Sequence, residues 1–123
     1  MKMLHATAAV ALLAAGTAYA DCPYPSTPDK IPDGATATLD EMLAGQKAIN
    51  TYNKAVNDYV ACIDKQLDDD IAKQGDKLKP QQKSEMQRVE AQKHNAAIDQ
   101  LQSIADRFNE QVKAFKARTG KKS

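Results

Sequence analysis

The sequence predicts an all-α protein, a long antiparallel two-helix hairpin of the coiled-coil type with a proline-rich extended N-terminal arm held by one disulfide. Apolar residues recur every seven positions in two long segments, and a glycine-containing break separates the two. Two cysteines connect the arm to the first segment. We predict an arm at 21–37, a hairpin at 38–118 with helices 38–74 and 80–118 around a turn at 75–79, and a basic tail at 119–123.

The first twenty residues have the pattern of a secretory signal peptide. A lysine follows the first methionine, residues 8–15 are apolar, and the small-x-small sequence Ala18-Tyr19-Ala20 ends the segment. This apolar run is shorter than the roughly 20 residues that cross a bilayer, so we expect no transmembrane segment. We expect cleavage after Ala20 and a periplasmic or secreted mature chain.

The charge of the chain is unevenly distributed. Residues 21–76 carry 11 acidic and 5 basic side chains, whereas residues 77–123 carry 5 acidic and 11 basic ones. The two halves should therefore attract one another, or the opposite halves of a second copy. Because their charges cancel, the mature chain has no net positive charge that would indicate nucleic-acid binding.

The arm begins at one of the two cysteines. Proline at Pro23, Pro25, Pro28 and Pro32 prevents helix formation and favours extended backbone. In an oxidising compartment the pair Cys22 and Cys62 predicts one structural disulfide, which would fold the arm back along the first helix and bury Tyr24 and Ile31. Two alternatives stay open. Lipid could be attached to Cys22, although such processing prefers a small residue where Asp21 stands. A redox-active or partner-linking thiol is the other, although there is no C-x-x-C motif.

The first helix has a clear start and a regular apolar stripe. Thr38 and Glu41 match the capping box, in which each side chain bonds to the backbone of the other residue. The stripe of this helix consists of Met42, Ile49, Val56 and Ile63 at spacing seven, with Tyr52 and Tyr59 three residues after two of them.

The second helix starts at Pro80, a residue suited to a first helical turn. Its apolar stripe contains Leu101, Phe108 and Phe115 at spacing seven. Since a short turn makes the helices antiparallel neighbours, centring on that turn fixes which residues face each other. The register pairs Ile49 with Ile104, Tyr52 with Leu101, Val56 with Ala97, and Gly45 with Phe108.

The mature chain has one histidine, His94, which follows Glu90 by one helical turn. This pair offers two metal ligands, but a zinc site needs at least three protein ligands, and neither a second histidine nor a free cysteine is at hand. We therefore expect a polar layer in the stripe, with no metal and no cofactor; a metal or pH-sensing site is the alternative.

The basic tail and the motif content bear on function. The cationic residues after Glu110 are Lys113, Lys116, Arg118, Lys121 and Lys122. Such residues favour a helix C-terminus, and a weak contact with an anionic envelope surface is the alternative.

The sequence contains no G-x-S-x-G, phosphate loop or H-E-x-x-H, so no enzyme is expected.

Residues 31–64, IPDGATATLDEMLAGQKAINTYNKAVNDYVACID, together with Cys22-Pro23, resemble a group of small exported proteobacterial helical proteins without an assigned activity. The shared features are the early cysteine, the proline-rich approach, a Pro-Asp-Gly-x-x-Ala-Thr turn at 32–38 and Tyr-x-x-Cys at 59–62. The resemblance implies the same arm, helix cap and disulfide, and it implies no catalytic or binding site.

The apolar stripe is wider than a two-helix seam requires, which suggests a contact surface at Val60, Ile98, Ala105 and Val112. We expect a non-enzymatic exported protein that has a structural role or binds an unknown protein partner or itself. A chaperone-like holdase using the same surface, or an envelope-polymer binder using the basic tail, is the alternative.

Overall fold

The computed structural model describes residues 22–120 and confirms an all-α hairpin. Helix α1 covers Leu39–Gln74, a short 3₁₀ turn covers Gly75–Lys77, and helix α2 covers Pro80–Thr119. The two helices pack against each other as antiparallel neighbours, and no β-strand occurs within 22–120. The predicted leader, its cleavage site, Lys121 and Lys122 lie outside the described residues.

The ends of the helices follow from local chemistry. At the start of α1 the Glu41 N–H donates to Thr38 Oγ1 over 3.2 Å, and the Thr38 N–H donates to the Glu41 carboxylate over 2.7 Å, which confirms the capping box. Gly75 ends α1 with a φ of 49°, in the left-handed region that favours glycine. Pro80 opens α2 in its first turn.

The core lies along the seam between the helices. Val56 and Ala97 have no exposed surface, and they belong to one cluster with Tyr52, Tyr59, Ile63 and Ile104. A second cluster near the open end of the hairpin contains Ala37, Met42 and Phe108. A Cβ atom on Gly45 would lie 3.0 Å from Cε2 of Phe108, so these two residues face each other as the register predicts.

The arm runs back along the hairpin in contact with both helices. The Cys22–Cys62 disulfide fixes its first described residue to α1, with 5.7 Å between the Cα atoms. The Tyr24 ring packs edge-on against Tyr59 with 5.1 Å between centroids, and its hydroxyl donates to Gln100 Oε1 over 2.8 Å. Ile31 packs against both core clusters.

Tyr24 differs from the expectation that it is buried. Its surface remains 52% exposed, because the ring contacts Tyr59 with one edge while its hydroxyl reaches the exposed side of α2. Ile31, the other arm residue expected to be buried, is half-buried.

A turn at residues 33–37 ends the arm before α1 begins. The Asp33 carboxylate accepts the Ala35 N–H over 2.9 Å, and the Asp33 carbonyl accepts the Ala37 N–H over 2.7 Å. Gly34 within this turn is buried against α2, where its N–H donates to Gln111 Oε1 over 2.9 Å. The arm is therefore attached at both ends, by a disulfide to α1 and by the turn to α2.

Candidate functional site

The four residues of the predicted contact surface are all half-buried. Val60 and Ile98 pack with one side against the core cluster around Val56, and Val112 packs against the cluster around Phe108. Each contributes to the core and still reaches solvent. The fourth residue, Ala105, adds little bulk, so it leaves room for a side chain from another molecule.

This surface lies on the side of the hairpin away from the arm. On α2 the arm bonds to Gln100 and Gln111. With about 100° between successive helical residues, Ile98 and Ala105 are rotated about 140–160° from Gln100, and Val112 about 100° from Gln111. We refer to Val60, Ile98, Ala105 and Val112 as the rear face, which the described part of the arm leaves uncovered.

Two further apolar side chains are exposed at the open end of the hairpin. Leu39 and Leu43 are 59% and 52% exposed and lie one turn apart at the start of α1. In the register that pairs Gly45 with Phe108, they lie at the same end of the hairpin as Val112. Sequence reasoning did not single them out, because the heptad count assigned only Met42 of this turn to the stripe.

The basic tail is divided between structural and solvent-exposed residues. Arg118 donates from Nε to the Gly34 carbonyl over 3.3 Å and from Nη2 to the Ala37 carbonyl, and its guanidinium lies 5.3 Å from the centre of the Phe115 ring. Lys113 pairs with Glu110 over 2.9 Å on the surface, and Lys116 is exposed. Of the three described tail residues, Arg118 thus holds the end of the arm.

The one histidine among residues 22–120 lies in a polar cluster between the helices. His94 Nδ1 is 3.9 Å from Asp64 Oδ1 on α1 and 3.9 Å from Glu90 Oε1 on α2. One ligand atom from each of the three residues lies within 4.8 Å of the other two. The cluster combines one imidazole nitrogen and two carboxylate oxygens, which are donors of the kind that divalent metals use.

Glu90 is the most enclosed member of this cluster. Its side chain is 17% exposed, and its Oε1 atom is buried without a hydrogen-bond donor. Hydrogen bonding with the Asp64 carboxyl, which needs a proton on one of the two groups, raises the pKa of Glu90, and burial raises it further. The nearby His94 acts in the opposite direction and lowers the pKa of Glu90, but by less than Asp64 and burial raise it.

Sequence reasoning found Glu90 and His94 but missed Asp64. The predicted register, continued toward the turn, sets Asp64 close to Glu90 and therefore contains the missing signal. Asp64 was not considered as a ligand, because it lies on the other helix and far from His94 in sequence. The third ligand atom that the sequence analysis lacked is supplied by α1.

A cleft opens between the helices beyond the end of the arm. It has a volume of about 300 Å³, and its apolar walls are Ile63, Leu67, Met86 and Val89. Charged residues at its rim include Asp70, Glu85 and Lys93, and Glu90 of the polar cluster also lines it. The cleft begins next to Cys62, where the arm is attached, and Glu90 is the residue that it shares with the cluster.

The chain was compared with protein-family models, curated proteins and solved structures, and no significant match was found. Among residues 22–120 no helix is both long and apolar enough to cross a bilayer. The candidate functional features of the described chain are the rear face, the basic tail, the cleft between the helices and the Asp64–Glu90–His94 cluster.

Proposed function

We propose that this chain is a non-enzymatic exported protein that acts by self-association, with a second copy binding to the rear face. The observation that carries the proposal is that Val60, Ile98, Ala105 and Val112 are only half-buried, on the side of the hairpin away from the arm. Apolar side chains that stay accessible along one side of a fold are candidates for a protein–protein contact site.

The charge distribution favours a second copy as the partner. Residues 21–76 are acidic and residues 77–123 are basic, in equal and opposite amounts. A two-fold arrangement can place the acidic helix of each copy next to the basic helix of the other. Such pairing is self-complementary, so it favours a dimer over binding to a partner of one charge.

Export is supported by the leader pattern and by the disulfide. A signal-peptide pattern precedes Cys22, and the Cys22–Cys62 bond is of the type that oxidising compartments maintain. We propose that the mature chain works in the periplasm or outside the cell. The proposal assigns it no catalytic activity.

The oligomeric state tests this proposal. We expect light scattering of the purified oxidised protein to give twice the chain mass, and Ala105→Glu to give a monomer because it places a charge in the contact. Ala96→Glu is the matched control, since Ala96 is exposed and lies about 180° around α2 from Ala105. A monomeric wild-type protein at about 100 µM, or equal effects of the two variants, would contradict self-association.

The same samples distinguish the alternatives. A monomer that prevents aggregation of a reduced client protein at stoichiometric amounts, and loses this effect in Ala105→Glu, would indicate a holdase. A monomer that sediments with anionic vesicles or cell wall only at low salt would indicate a polymer or surface binder that uses Lys113 and Lys116.

A further inference from the structure

We propose that Asp64, Glu90 and His94 bind one divalent transition-metal ion, with Zn²⁺ as the best fit, at the seam between α1 and α2. The proposal is independent of self-association through the rear face. It rests on two observations. Three potential metal-ligand atoms from two helices lie close together, and one carboxylate oxygen, Glu90 Oε1, is buried without a hydrogen-bond partner.

The geometry needs little adjustment to hold the ion. Zinc bonds to imidazole nitrogen and carboxylate oxygen are about 2.0–2.2 Å long, so donor atoms of a tetrahedral site lie roughly 3.4 Å apart. His94 Nδ1 is already 3.9 Å from an oxygen of Asp64 and 3.9 Å from one of Glu90. Small side-chain rotations would close these distances without a change in either helix.

The buried Oε1 atom of Glu90 is the second, independent observation. A buried carboxylate oxygen without a hydrogen-bond donor is unusual in a folded protein and calls for an ion, a proton or a water. It lies on the side of Glu90 that faces His94 Nδ1. A cation between these atoms would give Oε1 its missing partner and compensate the charge of the two carboxylates.

The donor set favours zinc over calcium or magnesium. Ca²⁺ and Mg²⁺ prefer six or more oxygen ligands, whereas this cluster supplies two oxygens and one imidazole nitrogen. Three protein ligands leave a fourth position for water, and His94 and Asp64, with side chains 40% and 52% exposed, give solvent access to it.

The position of the cluster suggests a structural consequence. Asp64 lies two residues after Cys62, where the arm is attached to α1. Between this point and the turn, the described chain has only α1 and α2 packed together. An ion bound by one residue of α1 and two of α2 would join the helices just where the arm stops covering them.

The test is a calorimetric titration of the exported, tag-free protein with Zn²⁺. The protein is purified without reductant, since free thiols would bind zinc themselves. We expect one site per chain and a rise in melting temperature that a chelator reverses, because an ion that binds only the folded state stabilises it. Asp64→Asn, Glu90→Gln and His94→Gln should each weaken binding at least about tenfold.

The matched controls are Asp70→Asn and Glu85→Gln, which remove a charge from the rim of the same cleft but lie outside the cluster. They should bind zinc within about twofold of the wild type. Circular dichroism of each variant without metal confirms that it is folded. Absence of binding at millimolar Zn²⁺, equal losses in controls and cluster variants, or equal affinity for Mg²⁺ would overturn the proposal. Light scattering of the protein in the presence of a chelator measures its oligomeric state without bound metal, so the failure of one proposal can be distinguished from the failure of the other.

Discussion

Gly34 lies directly against the backbone of Gln111. A Cβ atom on Gly34 would come 1.9 Å from the Gln111 carbonyl oxygen and 2.9 Å from the Phe115 nitrogen, and both of these are backbone atoms of α2. The contact is reinforced by the bond from the Gly34 N–H to the Gln111 side chain. Since a helix backbone cannot move aside as a side chain can, this position admits only glycine.

The first prediction concerns that contact. Gly34→Ala should displace the turn from α2 and lower the free energy of unfolding by about 1–3 kcal/mol, the usual cost of overpacking. Urea unfolding followed by circular dichroism measures the loss. The control is Ala35→Ser at the exposed neighbouring position, which should change stability by less than about 0.5 kcal/mol. Equal stability of the two variants would contradict the close approach.

The second prediction concerns Arg118. Arg118→Ala removes two hydrogen bonds to the Gly34 and Ala37 carbonyls and should cost about 1–2 kcal/mol. Arg118→Lys should be intermediate, because an ammonium group lacks the planar fork that reaches both carbonyls. Lys116→Ala removes an equal charge from an exposed position and serves as the control. If the Lys116 variant were as unstable as the Arg118 variant, net charge rather than these bonds would be responsible.

The third prediction concerns the disulfide. Closing a loop between positions 40 residues apart should stabilise the protein by about 4 kcal/mol in the chain-entropy model. The double variant Cys22→Ser, Cys62→Ser should therefore unfold at lower urea concentration than the oxidised wild type. It should also be cut faster by protease at Lys30. The reduced wild type and the double variant should unfold at the same urea concentration. If protease cuts the double variant in the same pattern as the oxidised wild type, the arm stays bound to the hairpin without the disulfide, and the prediction is wrong.

The fourth prediction concerns pH. The hydrogen bond from the Thr38 backbone N–H, followed by that from its hydroxyl, lowers the pKa of Glu41 below 4.5. A carboxyl whose pKa is lower in the folded state stabilises the fold above its ordinary pKa, and this stabilisation is lost as pH falls through the folded-state value. Melting temperature should thus fall on acidification below about pH 4.5, and Glu41→Gln should reduce that fall. Parallel pH profiles of wild type and Glu41→Gln would refute the linkage.

The parts of the fold predicted from sequence depend on local or periodic information. The capping box could be predicted from residues 38–41 alone, the helices from the seven-residue repeat, and the disulfide from the number of cysteines. The register was also accessible, because a short turn fixes which residues of two antiparallel helices meet, as Gly45 and Phe108 do.

The site details were less accessible because they depend on side chains that are distant in sequence. Arg118 was assigned to a basic tail, and its bonds to Gly34 and Ala37, 84 and 81 residues away, follow only once the arm is placed on α2. Asp64 was not connected with the pair Glu90 and His94, although it lies close to both across the seam. In both cases the partners lie on different elements of the fold.

The arm covers the hairpin only from its open end to Cys62, and this has a consequence for hydrogen exchange. Residues 64–96 around the turn include no buried side chain, whereas Val56 and Ala97 are completely enclosed. Local opening costs least where few contacts must be broken. Backbone amides near the turn should therefore exchange with solvent sooner than those beside Val56, and we expect local unfolding to start at the turn and to leave the disulfide-linked end intact.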